Sequence, residues 1–65
     1  LLVSAGFDAH VDDPLGGMRV TAAGFRELSR RCRELAPRLA AVLEGGYDPR
    51  TLPVLVQFAL EGLSE

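Results

Sequence analysis

Two polar clusters in this 65-residue chain have the side chains for chemistry. The first, Ser4-Ala5-Gly6-Phe7-Asp8-Ala9-His10-Val11-Asp12-Asp13-Pro14-Leu15, follows the apolar run Leu1-Leu2-Val3. The second, Glu44-Gly45-Gly46-Tyr47-Asp48, follows the apolar run that ends at Leu43. A carboxylate is costly to bury without a cation or hydrogen-bond donors beside it, so apolar strands that end in carboxylates mark candidate sites. The Asp8 carboxylate could bind a divalent metal through oxygen. The Tyr47 phenol could donate to the oxyanion of a tetrahedral intermediate, while a metal held nearby would polarise a carbonyl and activate water. This is the equipment of a hydrolase.

Those side chains need elements to place them. Leu1 to Phe7 reads as a strand closed by Gly6. Asp8 to Val20 reads as a loop, punctuated by Asp-Pro and Gly-Gly. Thr21 is a good N-cap for a helix running to Leu35 or Ala36, whose apolar stripe is Phe25, Leu28, Cys32 and Leu35. Pro37 ends it. Leu39–Leu43 is continuously apolar, the pattern of a parallel strand covered on both faces. A last helix ends near Leu63, with Leu52, Leu55, Val56, Ala59, Leu60 and Leu63 as its stripe. Its start is either Asp48, with Pro49 at the first helical position, or Thr51.

The order strand, helix, strand, helix is that of a parallel α/β sheet. In such sheets ligands bind at the carboxyl ends of strands. Adjacent strands lie ~4.8 Å apart, so Asp8 and Tyr47 are expected at one pocket. Two strands and two striped helices leave sheet faces and edges uncovered. The expectation is therefore a βαβα fragment of a larger sheet, and a start without Met, in mid-strand, is read the same way.

Composition narrows the class. A chain this short holds at most one small domain, and a domain of such size buries only ~60% of its unfolded surface. The 48% hydrophobic share suits a globular core. A net charge of −2 does not favour nucleic acid or an anionic membrane as partner. No apolar run approaches the ~20 residues of a membrane span, and no signal segment opens the chain. Nucleic acid and membrane are thus not expected as partners, and the expected location is cytoplasmic. Cys32 has no partner for an internal disulfide and reads as a packed thiol. Ser4 lacks the glycine two residues earlier that a nucleophile elbow needs. Neither Gly16-Gly17 nor Gly45-Gly46 has phosphate-loop spacing. His10 reads as structural, Asp13 as the organiser of the Asp-Pro turn, and Glu44 as a loop-fixing carboxylate.

The strings Ser4-Ala5-Gly6-Phe7-Asp8-Ala9-His10, Asp12-Asp13-Pro14-Leu15-Gly16 and Leu43-Glu44-Gly45-Gly46-Tyr47 closely resemble the zinc-dependent histone deacetylase family. The nearest branch in appearance is class II-like and bacterial, with acetoin-utilisation and acetylpolyamine amidohydrolase proteins. The resemblance extends over the whole chain and places it, residues 1–65, in the C-terminal part of a longer catalytic domain of the arginase/deacetylase-type fold. It implies that Asp8 is a zinc (Zn2+) ligand and that Tyr47 is the tyrosine steadying the oxyanion. It also implies that Leu15, Gly45 and Gly46 lie along the acyl-lysine channel. Some branches carry His where this chain has Tyr47, and those are weak deacetylases.

The family's other metal ligands, an Asp-x-His pair, and its His-His acid/base pair match nothing in this segment. The segment alone is therefore expected to be inactive. The implied reaction of the intact protein is hydrolysis of an N-acetyl amide, on acetyl-lysine in peptides or proteins or on an acetylated polyamine or other small amine. The implied partner of the segment is the remainder of the catalytic domain. Two other readings exist: a truncated deacetylase-like module that only packs or interacts, and an arginase-like two-metal hydrolase, which the Gly-Gly-Tyr string does not favour.

Overall fold

The computed structural model describes residues 1–65. The element order is β1 (Leu2–Ala5), α1 (Ala22–Leu35), β2 (Ala40–Leu43) and α2 (Leu52–Leu63), the expected strand–helix–strand–helix. The strands pair in parallel, Leu2 opposite Ala40 through to Ala5 opposite Leu43. A parallel pair needs a long crossover, and α1 with its flanking loops provides it.

Both strands are shorter than the expected segments Leu1 to Phe7 and Leu39–Leu43, yet the pairing outlasts the regular strands. Glu44 N–H donates to the Ala5 carbonyl at 2.8 Å, and Phe7 N–H donates to the Gly45 carbonyl at 2.8 Å. The segments that follow the two strands therefore leave the sheet side by side. This brings the residues just after β1 against those just after β2.

Helix α1 begins as its sequence predicts. The Thr21 hydroxyl accepts from Gly24 N–H at 3.0 Å, satisfying one of the unpaired first-turn donors. Ala36, before Pro37, is extended and stops the helix. Helix α2 starts differently. Thr51 precedes it without a side-chain cap. The Asp48 carbonyl instead takes the N–H groups of Thr51 and Leu52, at 3.2 and 3.0 Å, and its carboxylate takes Arg50 N–H at 2.9 Å. Asp48 thus caps a turn that leads into the helix, so each expected start is half right.

The core is small: Phe7, Phe25, Leu55 and Ala59. Phe7 and Phe25 meet edge to face with ring centroids 5.0 Å apart, in the range where such pairs add ~0.5–1.5 kcal/mol beyond burial. Phe7 lies just past β1, so the core holds the first turn of the loop that carries Asp8. The two helices pack closely at Gly62, where any Cβ would strike the Arg26 carbonyl.

The expected stripes are only partly buried. Of the α1 stripe only Phe25 is buried; Leu28 and Leu35 are 54% and 74% exposed, and Leu60 of α2 is 57% exposed. The stripes point inward, but two strands offer too little surface to cover them. Leu28, Cys32, Leu60 and Leu63 instead line an apolar groove of about 290 Å³ against the sheet.

Candidate functional site

Asp8 lies where these two segments leave the sheet together. Its carboxylate rests on two glycines, one from each segment. A Cβ on Gly45 would come within 2.9 Å of its Cγ and 3.0 Å of both oxygens, and a Cβ on Gly6 within 3.1 Å of Oδ1. Gly16 packs against the backbone of the same residue, so closely that any Cβ there would overlap the Asp8 main-chain carbonyl. Three glycines thus make room for one aspartate. No side chain or N–H of this chain hydrogen-bonds its carboxylate oxygens, and the residue is partly exposed.

The loop that carries Asp8 is ordered by its own hydrogen bonds. His10 N–H donates to Phe7 at 3.1 Å, Asp13 N–H to His10 at 3.0 Å, and Val20 pairs with Ala9 and Val11 at 2.9 and 3.0 Å. His10 is buried, 8% exposed, and its Nδ1 accepts from Asp12 N–H at 3.3 Å. That is a structural arrangement, as expected.

Asp13 does more than the sequence indicates. It is 9% exposed. Its Oδ1 accepts from Leu15 N–H at 2.9 Å and Gly16 N–H at 3.1 Å, which makes the expected Asp-Pro turn. Its Oδ2 accepts from Tyr47 N–H at 2.8 Å, across 34 positions of sequence. Desolvation is the largest single influence and pushes the Asp13 carboxyl up, as does nearby Asp48. The N–H groups of Tyr47, Leu15 and Gly16 together outweigh them, and the group lies below the ordinary carboxylate value.

Asp13 therefore brings two of the predicted site residues together. Leu15 and Tyr47 hang from opposite oxygens of one carboxylate, and their side chains are exposed, at 71% and 52%. Gly46 sets the approach to Tyr47 with φ +142°, a conformation that favours glycine; a Cβ there would meet Leu52 Cδ1 at 2.8 Å and Phe7 Cβ at 3.3 Å. Within this chain the space beside Gly45 and Gly46 is taken by Asp8 and Leu52. Glu44 accepts from the Ser4 hydroxyl at 3.2 Å, which ties β1 to the end of β2. The missed element is the Asp13 link to Tyr47. Its local half is visible in the Asp-Pro spacing, and its distant half is not.

The donor set can be tested against a zinc ion. Catalytic zinc takes about three protein ligands, and no group of three His, Cys, Asp or Glu side chains converges anywhere in the chain. These residues alone do not make a zinc site. Asp8, an oxygen donor that no hydrogen bond from the chain engages, fits as one member of a larger set.

Comparison with known proteins gives a consistent result. Residues 1–63 match the histone deacetylase domain. Histone deacetylase 6 of Caenorhabditis elegans is 45% identical over 58 residues, 88% of this chain and 6% of that protein. A polyamine deacetylase of Mus musculus is 47% identical over 53 residues, 80% of this chain and 8% of that protein. An acetylpolyamine aminohydrolase from Burkholderia pseudomallei superimposes with a TM-score of 0.91 at 33% identity, over 98% of this chain and 19% of that one. The chain thus spans less than a fifth of each of these relatives.

Proposed function

Because the chain belongs to the histone deacetylase family and folds as a βαβα piece of the arginase/deacetylase-type α/β fold, we propose that it is the C-terminal part of a catalytic domain that hydrolyses N-acetyl amides. The carrying observation is the seat of Asp8. An aspartate whose carboxylate no hydrogen bond of the chain engages sits on a glycine shelf where both strands end, next in space to the loop of Tyr47.

In this reading Asp8 is one zinc ligand, and the remaining ligands come from outside these 65 residues. Zinc held by the full set supplies a Lewis acid that polarises a carbonyl and makes water nucleophilic near neutral pH. Tyr47 donates its phenol hydrogen to the substrate oxygen as that oxygen takes on negative charge. Its exposed side chain is free to reach a substrate, while its backbone is held by Asp13. Leu15, exposed on the same clamp, offers an apolar wall for an acyl-lysine or acyl-polyamine chain, whereas Gly45 and Gly46 serve by making room for Asp8 and Leu52. Leu15 carries no charge to favour a cationic internal amine, which weighs toward acetyl-lysine over polyamines. A cytoplasmic location belongs to the same proposal.

The exposed apolar groove favours a second reading, a module that only packs against partners. Tyr47→Phe in the intact protein separates the two. Losing one oxyanion donor costs ~100- to 1000-fold in turnover, so kcat is expected to fall by about that much with the protein still folded. Near-full turnover in this variant would remove Tyr47 from the chemistry.

A further inference from the structure

We propose that Asp13 is a positioning residue that couples the acyl-channel loop to the oxyanion-stabilising tyrosine. This rests on the deacetylase reading and extends it to a residue with no chemistry of its own. Tyr47 enters its position from a glycine pair, the most pliable backbone available, and its side chain is half exposed. No hydrogen bond joins Tyr47 to α2. The contact that fixes its backbone is the 2.8 Å hydrogen bond to Asp13 Oδ2. The other oxygen of the same carboxylate holds Leu15 and Gly16, and Gly16 presses on the Asp8 carbonyl.

One buried carboxylate therefore sets the spacing among the metal-ligand loop, the channel wall and the tyrosine. A carboxylate is required because three N–H donors converge on it, two on one oxygen and one on the other. An asparagine keeps one accepting oxygen, enough for Leu15 and Gly16, and turns an NH2 toward Tyr47 N–H. Asp13→Asn should thus keep the turn and release only the tyrosine. Misplacing a reacting group by about 1 Å costs up to ~100-fold.

The test is a double-mutant cycle on the intact zinc-loaded protein, with an acetyl-lysine peptide as probe and amide exchange read at Leu15, Gly16 and Tyr47. Asp13→Asn is expected to lower kcat about 10- to 100-fold, with KM and zinc content unchanged. In a Tyr47→Phe background the same substitution should cost less than about 2-fold, because residues acting through one another are not additive. Exchange should accelerate at Tyr47 and stay slow at Leu15 and Gly16. Equal losses in both backgrounds, or a change in KM alone, would overturn the proposal. Fast exchange at Tyr47 in the unsubstituted protein would also overturn it, with no variant needed. A zinc-loaded protein that turns over no acetylated probe would instead sink the deacetylase reading and Asp13's catalytic role with it, leaving amide exchange to show whether the clamp still exists.

Discussion

At the scale of single residues, the site is organised by what glycine leaves out. Gly6, Gly16 and Gly45 make space for Asp8, and Gly46 turns the chain into Tyr47. Holding a side-chain-bearing residue in Gly46's conformation costs about 1–3 kcal/mol, and its Cβ would also press on Leu52 and Phe7. Gly46→Ala is therefore expected to lower the Tm of the intact protein and to reduce turnover by displacing Tyr47. A melt and a rate both unchanged would mean that the backbone relaxes freely there. That Asp8 and Tyr47 follow the ends of the two strands was legible in the sequence, because an apolar run shows where a strand ends; their roles as metal ligand and oxyanion donor were implied by the family resemblance. The Asp13–Tyr47 bond was not legible, because local spacing carries no information about a partner 34 residues away.

At the scale of elements, the order and direction of strands and helices could be read from periodicity, and α1 from its Thr21 cap to its Pro37 stop. The start of α2 could not be fixed, because Asp48, Pro49, Thr51 and Pro53 are competing signals; the helix begins after Thr51, and Asp48 caps the turn that leads into it by accepting from Arg50, Thr51 and Leu52. Three of the four arginines of α1 pair with glutamates. Arg30 joins Glu27 and Glu34, Arg31 joins Glu27, and Arg26 reaches Glu61 and Glu65 of α2.

Hydrogen bonds from Arg30, then Arg31, hold the Glu27 carboxyl at about 2, below its ordinary value of 4.5. A depressed carboxylate stabilises the fold above its unfolded value and loses that contribution as pH falls through its folded one. The stability difference between Glu27→Gln and the parent should therefore be present above pH 4.5 and shrink as pH falls toward 2. These groups are exposed, so the difference should be small and should shrink further with added salt. Urea midpoints across that range measure it, and a difference independent of pH would contradict the assignment.

At the scale of the whole molecule, apolar exposure dominates. Only four hydrophobic residues are buried, while Leu2, Leu15, Leu28, Leu35 and Leu60 are each more than half exposed. The stripes could be read from the sequence, and so could the shortfall of surface that two strands and two helices offer them. No helix is long and apolar enough to cross a membrane. In the function proposed above, this segment contributes a metal ligand and an oxyanion donor to a larger zinc-dependent deacetylase. The measurement that tests it most directly is acetate release from an acetyl-lysine peptide by the intact protein, with and without zinc. It is run beside the Asp8→Ala variant and the isolated 65-residue chain, with bound zinc counted in each. The expected result is zinc-dependent release by the intact protein, loss of both release and bound zinc in Asp8→Ala, and no release from the isolated chain. An Asp8→Ala protein that keeps its zinc and its turnover would contradict it.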